Sequence, residues 1–250
     1  MSDQKVAWIT GGSSGIGRAC ALEFAAYDYR IGLHFNTNEQ AARELKEELE
    51  ADGTDVLLLQ GDVSSPDAVA GMVAEIDSHY GQLDVLVNNA GSLIERRSFE
   101  AMTVDLWDKI MEVNLKSVYL CSQAALGLLR RNESSRIVNI SSVAARNGGG
   151  PGSVAYSVAK SGVSNLTRAM AKELVTDGIL VNGVAPGVIS TPFHDRFTSA
   201  EAREGLKRAL PIGREGLPKE VANVVLFLAS PAASYLVGEI IEVNGGQLMD

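Results

Sequence analysis

TGGSSGIG, at residues 10–17, follows an apolar run, VAWIT at 6–10, and leads directly into a helical pattern from Arg18 to Ala26. A strand, a glycine-rich turn and a helix in that order make an anion cradle. Glycine lets the backbone turn tightly and approach a pyrophosphate, whose charge then lies against the free N–H groups and positive dipole of the helix N-terminus. A dinucleotide cofactor is implied, with Gly11, Ser13, Ser14, Gly15, Ile16 and Gly17 around its phosphates. Two other readings use the same letters. Gly11 to Gly15 match a G-x-S-x-G nucleophile elbow, which would make the protein a hydrolase acting through Ser13. Its base would have to be His34, His79 or His194, and His34 falls in a strand while His79 ends a helix. Gly12 to Gly17 have the glycine spacing of a nucleoside-triphosphate loop, yet Arg18 and Ala19 stand where Lys and Ser or Thr are needed.

Outward from this turn, apolar runs of strand length alternate with longer amphipathic stretches, as in βαβ units that build a parallel sheet. Seven strands are expected, at 6–10, 31–35, 56–62, 84–89, 137–141, 180–185 and 239–243. The fold class is therefore α/β: a single domain over 1–250 with a doubly wound, seven-stranded parallel sheet and helices on both faces. Ser65 as N-cap, Pro66 at the first helical position and Gly81 just past the end bracket one helix. Ala41, Ala42, Leu45 and Leu49 give 38–52 one apolar face. GGGPG at 148–152 reads as a flexible loop. Residues 190–217, with Pro192, Pro211 and Gly213, show no legible secondary structure and are expected to be a lid over the site.

The composition excludes several classes. A formal charge of −9 and no basic run argue against a nucleic-acid partner. No stretch is long and apolar enough to span a membrane and the start lacks a secretory pattern, so a cytoplasmic protein is expected. Cys20 and Cys121 stand alone in apolar helical surroundings with no metal-ligand spacing, and no metal is expected.

A second motif, YSVAK at 156–160, sets a phenol and an ammonium four residues apart, so that on a helix Tyr156 and Lys160 point at a common spot. Further pieces accompany it: NNAG at 88–91, Asn114 in MEVNLKS, the serine pair 141–142, PGVIST at 186–191 and a terminal VNGG at 243–246. Together with the G-x-x-x-G-x-G spacing of the turn, this series resembles the short-chain dehydrogenase/reductase family over essentially the whole chain. The resemblance implies that Tyr156 gives and takes the proton. It implies that Lys160 lowers the tyrosine's pKa and holds the nicotinamide ribose, that Ser142 hydrogen-bonds the substrate oxygen, and that Asn114 anchors a water chain to the lysine. Chemistry agrees, since a ketone receiving hydride becomes an alkoxide that needs donors and an acid. Ser142 lies fourteen residues before Tyr156, one more than is common in the family, and Ser141 competes for the role.

The same resemblance places Asp62 and Val63 at the adenine, Asn89, Ala90 and Gly91 beneath the cofactor, and Pro186, Gly187, Ile189 and Thr191 along its nicotinamide half. After the second strand, Phe35, Asn36 and Thr37 meet the adenosine ribose with no carboxylate before Glu39, so NADP(H) is favoured and NAD(H) is possible. Leu93, Ile94, Phe193 and Phe197 are candidates for the wall of a pocket for a small carbonyl compound or alcohol. Arg96 and Arg97 read as solvated surface arginines or, less readily, as a grip on an anionic tail. Helices 103–131 and 155–175 are apolar on more than one side, which suits the pairing of these helices between subunits that the resemblance implies; a homotetramer is expected, with a dimer next. The function expected is hydride transfer between a nicotinamide and a carbonyl, the alternative being a binding-only sensor or scaffold.

Overall fold

In the computed structural model, which describes residues 4–249, a seven-stranded, all-parallel sheet has the order β3-β2-β1-β4-β5-β6-β7. The strands are β1 (Val6–Ile9), β2 (Arg30–Phe35), β3 (Val56–Gln60), β4 (Val85–Asn88), β5 (Ser135–Ile140), β6 (Ile179–Pro186) and β7 (Ile240–Val243). The expected seven-stranded, doubly wound sheet is thus present, with shifted ends; the third strand stops at Gln60, since Gly61 and Asp62 turn toward the next helix.

Residues along each strand alternate between two buried layers, which is why the strands read as continuous apolar runs. On β1, Ala7 and Ile9 join one core and Val6 and Trp8 the other. The first core is closed by α1 (Gly15–Ala26), α2 (Glu39–Ala51) and α10 (Pro218–Ala229). The second is closed by α3 (Pro66–Tyr80), α5 (Ser117–Leu129) and α7 (Val154–Leu174). Caps set the ends of α3: Ser65 accepts from the Ala68 N–H, Pro66 opens the first turn and Gly81 closes the helix at φ 71°.

Two stretches differ from their expected form. The long helix expected over 103–131 is α4 (Val104–Met111) and α5 joined by a π-helical turn, Glu112–Lys116. Asn114 lies in that turn, wholly buried, and its Nδ2 donates to the Ile110 carbonyl 2.8 Å away. A side chain has taken a backbone acceptor, and the helix widens to accommodate it. The stretch 190–217 contains two helices, α8 (Pro192–Phe197) and α9 (Ala200–Ala209). Arg203 of α9 holds them in place, pairing with Asp195 and Glu215 and donating to Ser190 Oγ at 3.0 Å.

The order reverses between β1 and β4, and the chain leaves both strands upward into one crevice. In doubly wound sheets this switch point at the carboxyl edge is where ligands bind.

Candidate active site

A cleft of about 680 Å³ lies along this edge. At its centre the turn after β1 is tied to the turn after β4. Thr10 Oγ1 accepts from the Asn89 and Ala90 N–H groups at 2.9 and 3.0 Å, and Asn89 Nδ2 returns to the Thr10 carbonyl at 2.9 Å. Gly11 has φ 63°, and Gly17 packs so closely on it that a Cβ there would lie 2.2 Å from the Gly11 oxygen. Ser14 caps α1 without a side-chain hydrogen bond, and the first turn carries no acidic residue. The N-terminal donors of α1 therefore remain available to an anion, as a pyrophosphate requires.

The cleft gathers nearly all of the residues singled out above. Gly11, Ser13, Ser14, Gly15 and Ile16 line one part, with Phe35, Asn36, Thr37, Asp62 and Val63 beside them. Asn89, Ala90 and Gly91 form the floor, and Pro186, Gly187, Ile189 and Thr191 the far wall. Ser142, Tyr156 and Lys160 complete it. Gly17 and Asn114 stand behind the lining: Gly17 packs under the turn, and Asn114 braces the floor through Ser92, accepting from its N–H at 3.1 Å and donating to its carbonyl at 2.7 Å. Asp62 has a second task, since its Oδ1 accepts from the N–H and hydroxyl of Ser64 at 2.8 and 2.7 Å.

The serine pair divides its work. Ser141 Oγ donates to the Lys160 carbonyl at 3.0 Å and bonds Ser164 Oγ at 2.7 Å, fastening β5 to α7. Ser142 lines the cleft with Tyr156, its Oγ accepting from the Ala144 N–H at 3.1 Å. One turn along α7, Lys160 Nζ lies 5.8 Å from the centre of the Tyr156 ring and donates to the Ile140 carbonyl at 2.7 Å. Burial pushes the Tyr156 phenol up to about 12, with the neighbouring Ser142 side chain acting against it, and pushes the Lys160 ammonium down to about 8.

Arg96 is exposed, as expected, but its guanidinium is bonded. Its Nε donates to the Phe197 carbonyl at 2.6 Å and its Nη1 to the Pro151 carbonyl at 2.8 Å, joining α8 to the glycine-rich loop across the mouth of the cleft. Arg97 pairs with Glu95 at the surface. Ser13 has no base in His34, whose Nδ1 accepts from the Gly11 N–H and whose Nε2 faces the Gly61 carbonyl. His34 itself lines the cleft, and sequence reasoning missed it; the signal was a lone imidazole in the apolar run 31–35.

Comparison with known proteins decides the family. A model described as enoyl-(acyl carrier protein) reductase matches residues 11–247. The chain belongs to the short-chain dehydrogenase/reductase family. Over 249 residues, all of both chains, it is 39% identical to a 3-oxoacyl-[acyl-carrier-protein] reductase of Staphylococcus aureus. A protein of the same description from Synechocystis is 37% identical over 246 residues, 98% of this chain and 97% of the relative. The (2S)-[(R)-hydroxy(phenyl)methyl]succinyl-CoA dehydrogenase subunit of Thauera aromatica is 39% identical over 244 residues, 97% and 96% of the two chains. Family membership makes the protein an NAD(P)-dependent oxidoreductase. Among the described residues, no helix is long and apolar enough to cross a membrane, and no group of three or more His, Cys, Asp or Glu could hold a metal ion.

Proposed function

We propose that the protein interconverts a 3-oxoacyl thioester and its 3-hydroxyacyl counterpart using NADP(H). The observation that carries this reading is the meeting of Ser142, Tyr156 and Lys160 at the end of one cleft whose other end is a phosphate cradle. The bound nicotinamide would supply or accept the hydride. Ser142 and Tyr156 would both donate to the carbonyl oxygen, and Tyr156 would pass its proton to that oxygen as negative charge develops. Lys160 would hold the ribose and offset the charge left on the phenolate. The thioester assignment rests on the relatives, whose names specify acyl carrier protein and CoA derivatives. Leu93, Val188, Phe193 and Leu206 give the cleft an apolar wall suited to an acyl chain.

The choice of NADP(H) rests on the exposed Asn36 and Thr37, which offer donors to a 2′-phosphate, with Ser14 beside them. The next acid along the chain, Glu39, pairs with Arg43 at 2.6 Å and is not among the residues lining the cleft. Residues 190–217 serve as the lid, and the protein works in the cytoplasm. Assays at 340 nm with acetoacetyl-CoA, simple ketones and sugars, each with NADPH and NADH, test the whole reading. The thioester should be turned over with at least tenfold preference for NADPH. Turnover of sugars alone, or equal use of NADH, would overturn the substrate or cofactor assignment.

Exposed apolar side chains support a homotetramer. Tyr119 and Val158 are 46% and 42% exposed on α5 and α7, and Tyr235 is fully exposed near the start of β7. Copies of the same chain covering the helix side chains and Tyr235 separately would make a homotetramer. Light scattering should return about four times the mass of one chain; a monomer at micromolar concentration contradicts it.

A further inference from the structure

His34 is only 1% exposed, yet it belongs to the wall of the cofactor cleft. It holds two consecutive amides of the glycine turn. The Gly11 N–H donates to its ring Nδ1 at 2.8 Å, and the Gly12 N–H donates to its main-chain carbonyl, also at 2.8 Å. Its Nε2 lies 2.9 Å from the Gly61 carbonyl just beyond β3. An amide can only donate and a carbonyl can only accept, so these partners dictate a neutral ring with its proton on Nε2. One imidazole thus braces the ends of three strands where the cofactor's phosphates and adenosine would lie.

We propose that His34 is a positioning residue for the dinucleotide: its neutral ring holds Gly11 at the positive φ the phosphate turn needs, and its protonation releases that turn. The proposal rests on reading the cleft as the NADP(H) site. A second proton would have to go on Nδ1, aimed at the Gly11 N–H, so donor would face donor in a buried site. Burial lowers the ring's pKa from its ordinary value, against weaker pulls upward from the Gly61 carbonyl and Asp62. Other elements add little charge. β1 has no ionisable side chain, Arg18 of α1 is paired with Glu48 of α2, and Asp67, Glu75 and Asp77 of α3 are exposed. Because the folded-state pKa is depressed, the neutral form's contribution is full above about 6.5 and is lost as pH falls through the lower, folded value.

The test measures NADP⁺ binding calorimetrically from pH 8 to pH 5 in the wild type, His34→Asn and His34→Leu. Asparagine can place an oxygen near Nδ1 and does not titrate, whereas leucine leaves the Gly11 N–H without an acceptor. Wild-type Kd should rise at least tenfold more than that of His34→Asn as pH falls, a difference that removes the titration of the 2′-phosphate. His34→Leu should bind at least tenfold more weakly than wild type at pH 8. Parallel pH profiles for wild type and His34→Asn overturn the proposal while leaving the cofactor assignment standing; failure of NADP⁺ to bind at pH 8 removes both. Should the variants not fold, ¹⁵N shifts of the wild-type ring at pH 8 decide: a proton on Nε2 supports the proposal, and one on Nδ1 refutes it.

Discussion

Tyr156→Phe should retain the fold and dinucleotide affinity and lose about 10²–10⁴-fold in turnover, the contribution of one positioned acid. The ring itself is packing: it lies 5.6 Å from the Phe193 ring, tilted by 40°, and phenylalanine keeps that contact. What disappears is the hydroxyl, on a side chain that lines the cleft with Ser142. With the phenol raised to about 12 by burial, the residue meets its substrate protonated at neutral pH, in the form that reduction consumes. Oxidation needs the phenolate instead, so the oxidative rate should climb with pH above 7 while the reductive rate stays nearly flat. Steady-state kinetics in both directions, with circular dichroism to certify the fold, checks both statements. Undiminished reduction by a correctly folded Tyr156→Phe protein would falsify the assigned role.

Much of this architecture is legible in the sequence because two burial rules leave strong traces. A strand covered on both faces must be apolar throughout, so Val6 to Ile9 and Val85 to Val87 announce themselves. Caps and glycines mark helix ends by local chemistry, as Ser65 and Gly81 do. Features fixed by contacts distant in sequence leave no such trace. The widening at Asn114 depends on its amide finding both the Ile110 and the Ser92 carbonyls. Nothing in the spacing says that Ser141 binds α7 while Ser142 lines the cleft; both serines lie just beyond the end of β5, where contacts with α7 and the following turn decide the division. The helix α9 escapes notice because its face meets an ion pair and not a core: Arg203 is its anchor, and none of its residues is fully buried. Ile94, at φ 57°, is a strained position that a β-branched residue gives no reason to expect.

Lys160→Met should separate the lysine's chemical value from its structural cost. Turnover should fall at least 10²-fold and the cofactor KM should rise, since the ammonium beside the phenol and ribose is gone. Stability of the cofactor-free protein should move the other way. Lys160 is 3% exposed, and burial lowers its pKa from 10.5 to about 8. At pH 7 the folded state therefore holds a desolvated charge at a cost of about 3 kcal/mol. Methionine removes that cost but also the 2.7 Å hydrogen bond to the Ile140 carbonyl, a loss of about 1 kcal/mol. A net gain of about 1–2 kcal/mol remains, readable as a higher urea midpoint. The sign with pH follows from linkage: between about 8 and 10.5 the unfolded wild type binds more protons than the folded, so wild-type stability should rise across that window. The methionine variant lacks this rise, so the two stabilities should cross within the window and the wild type should lead by about 1 kcal/mol, the value of the hydrogen bond, above pH 10.5. A variant less stable than wild type at pH 7 would show that the lysine holds the fold together. A more stable but inactive one would mean that the site keeps a charge its fold does not need.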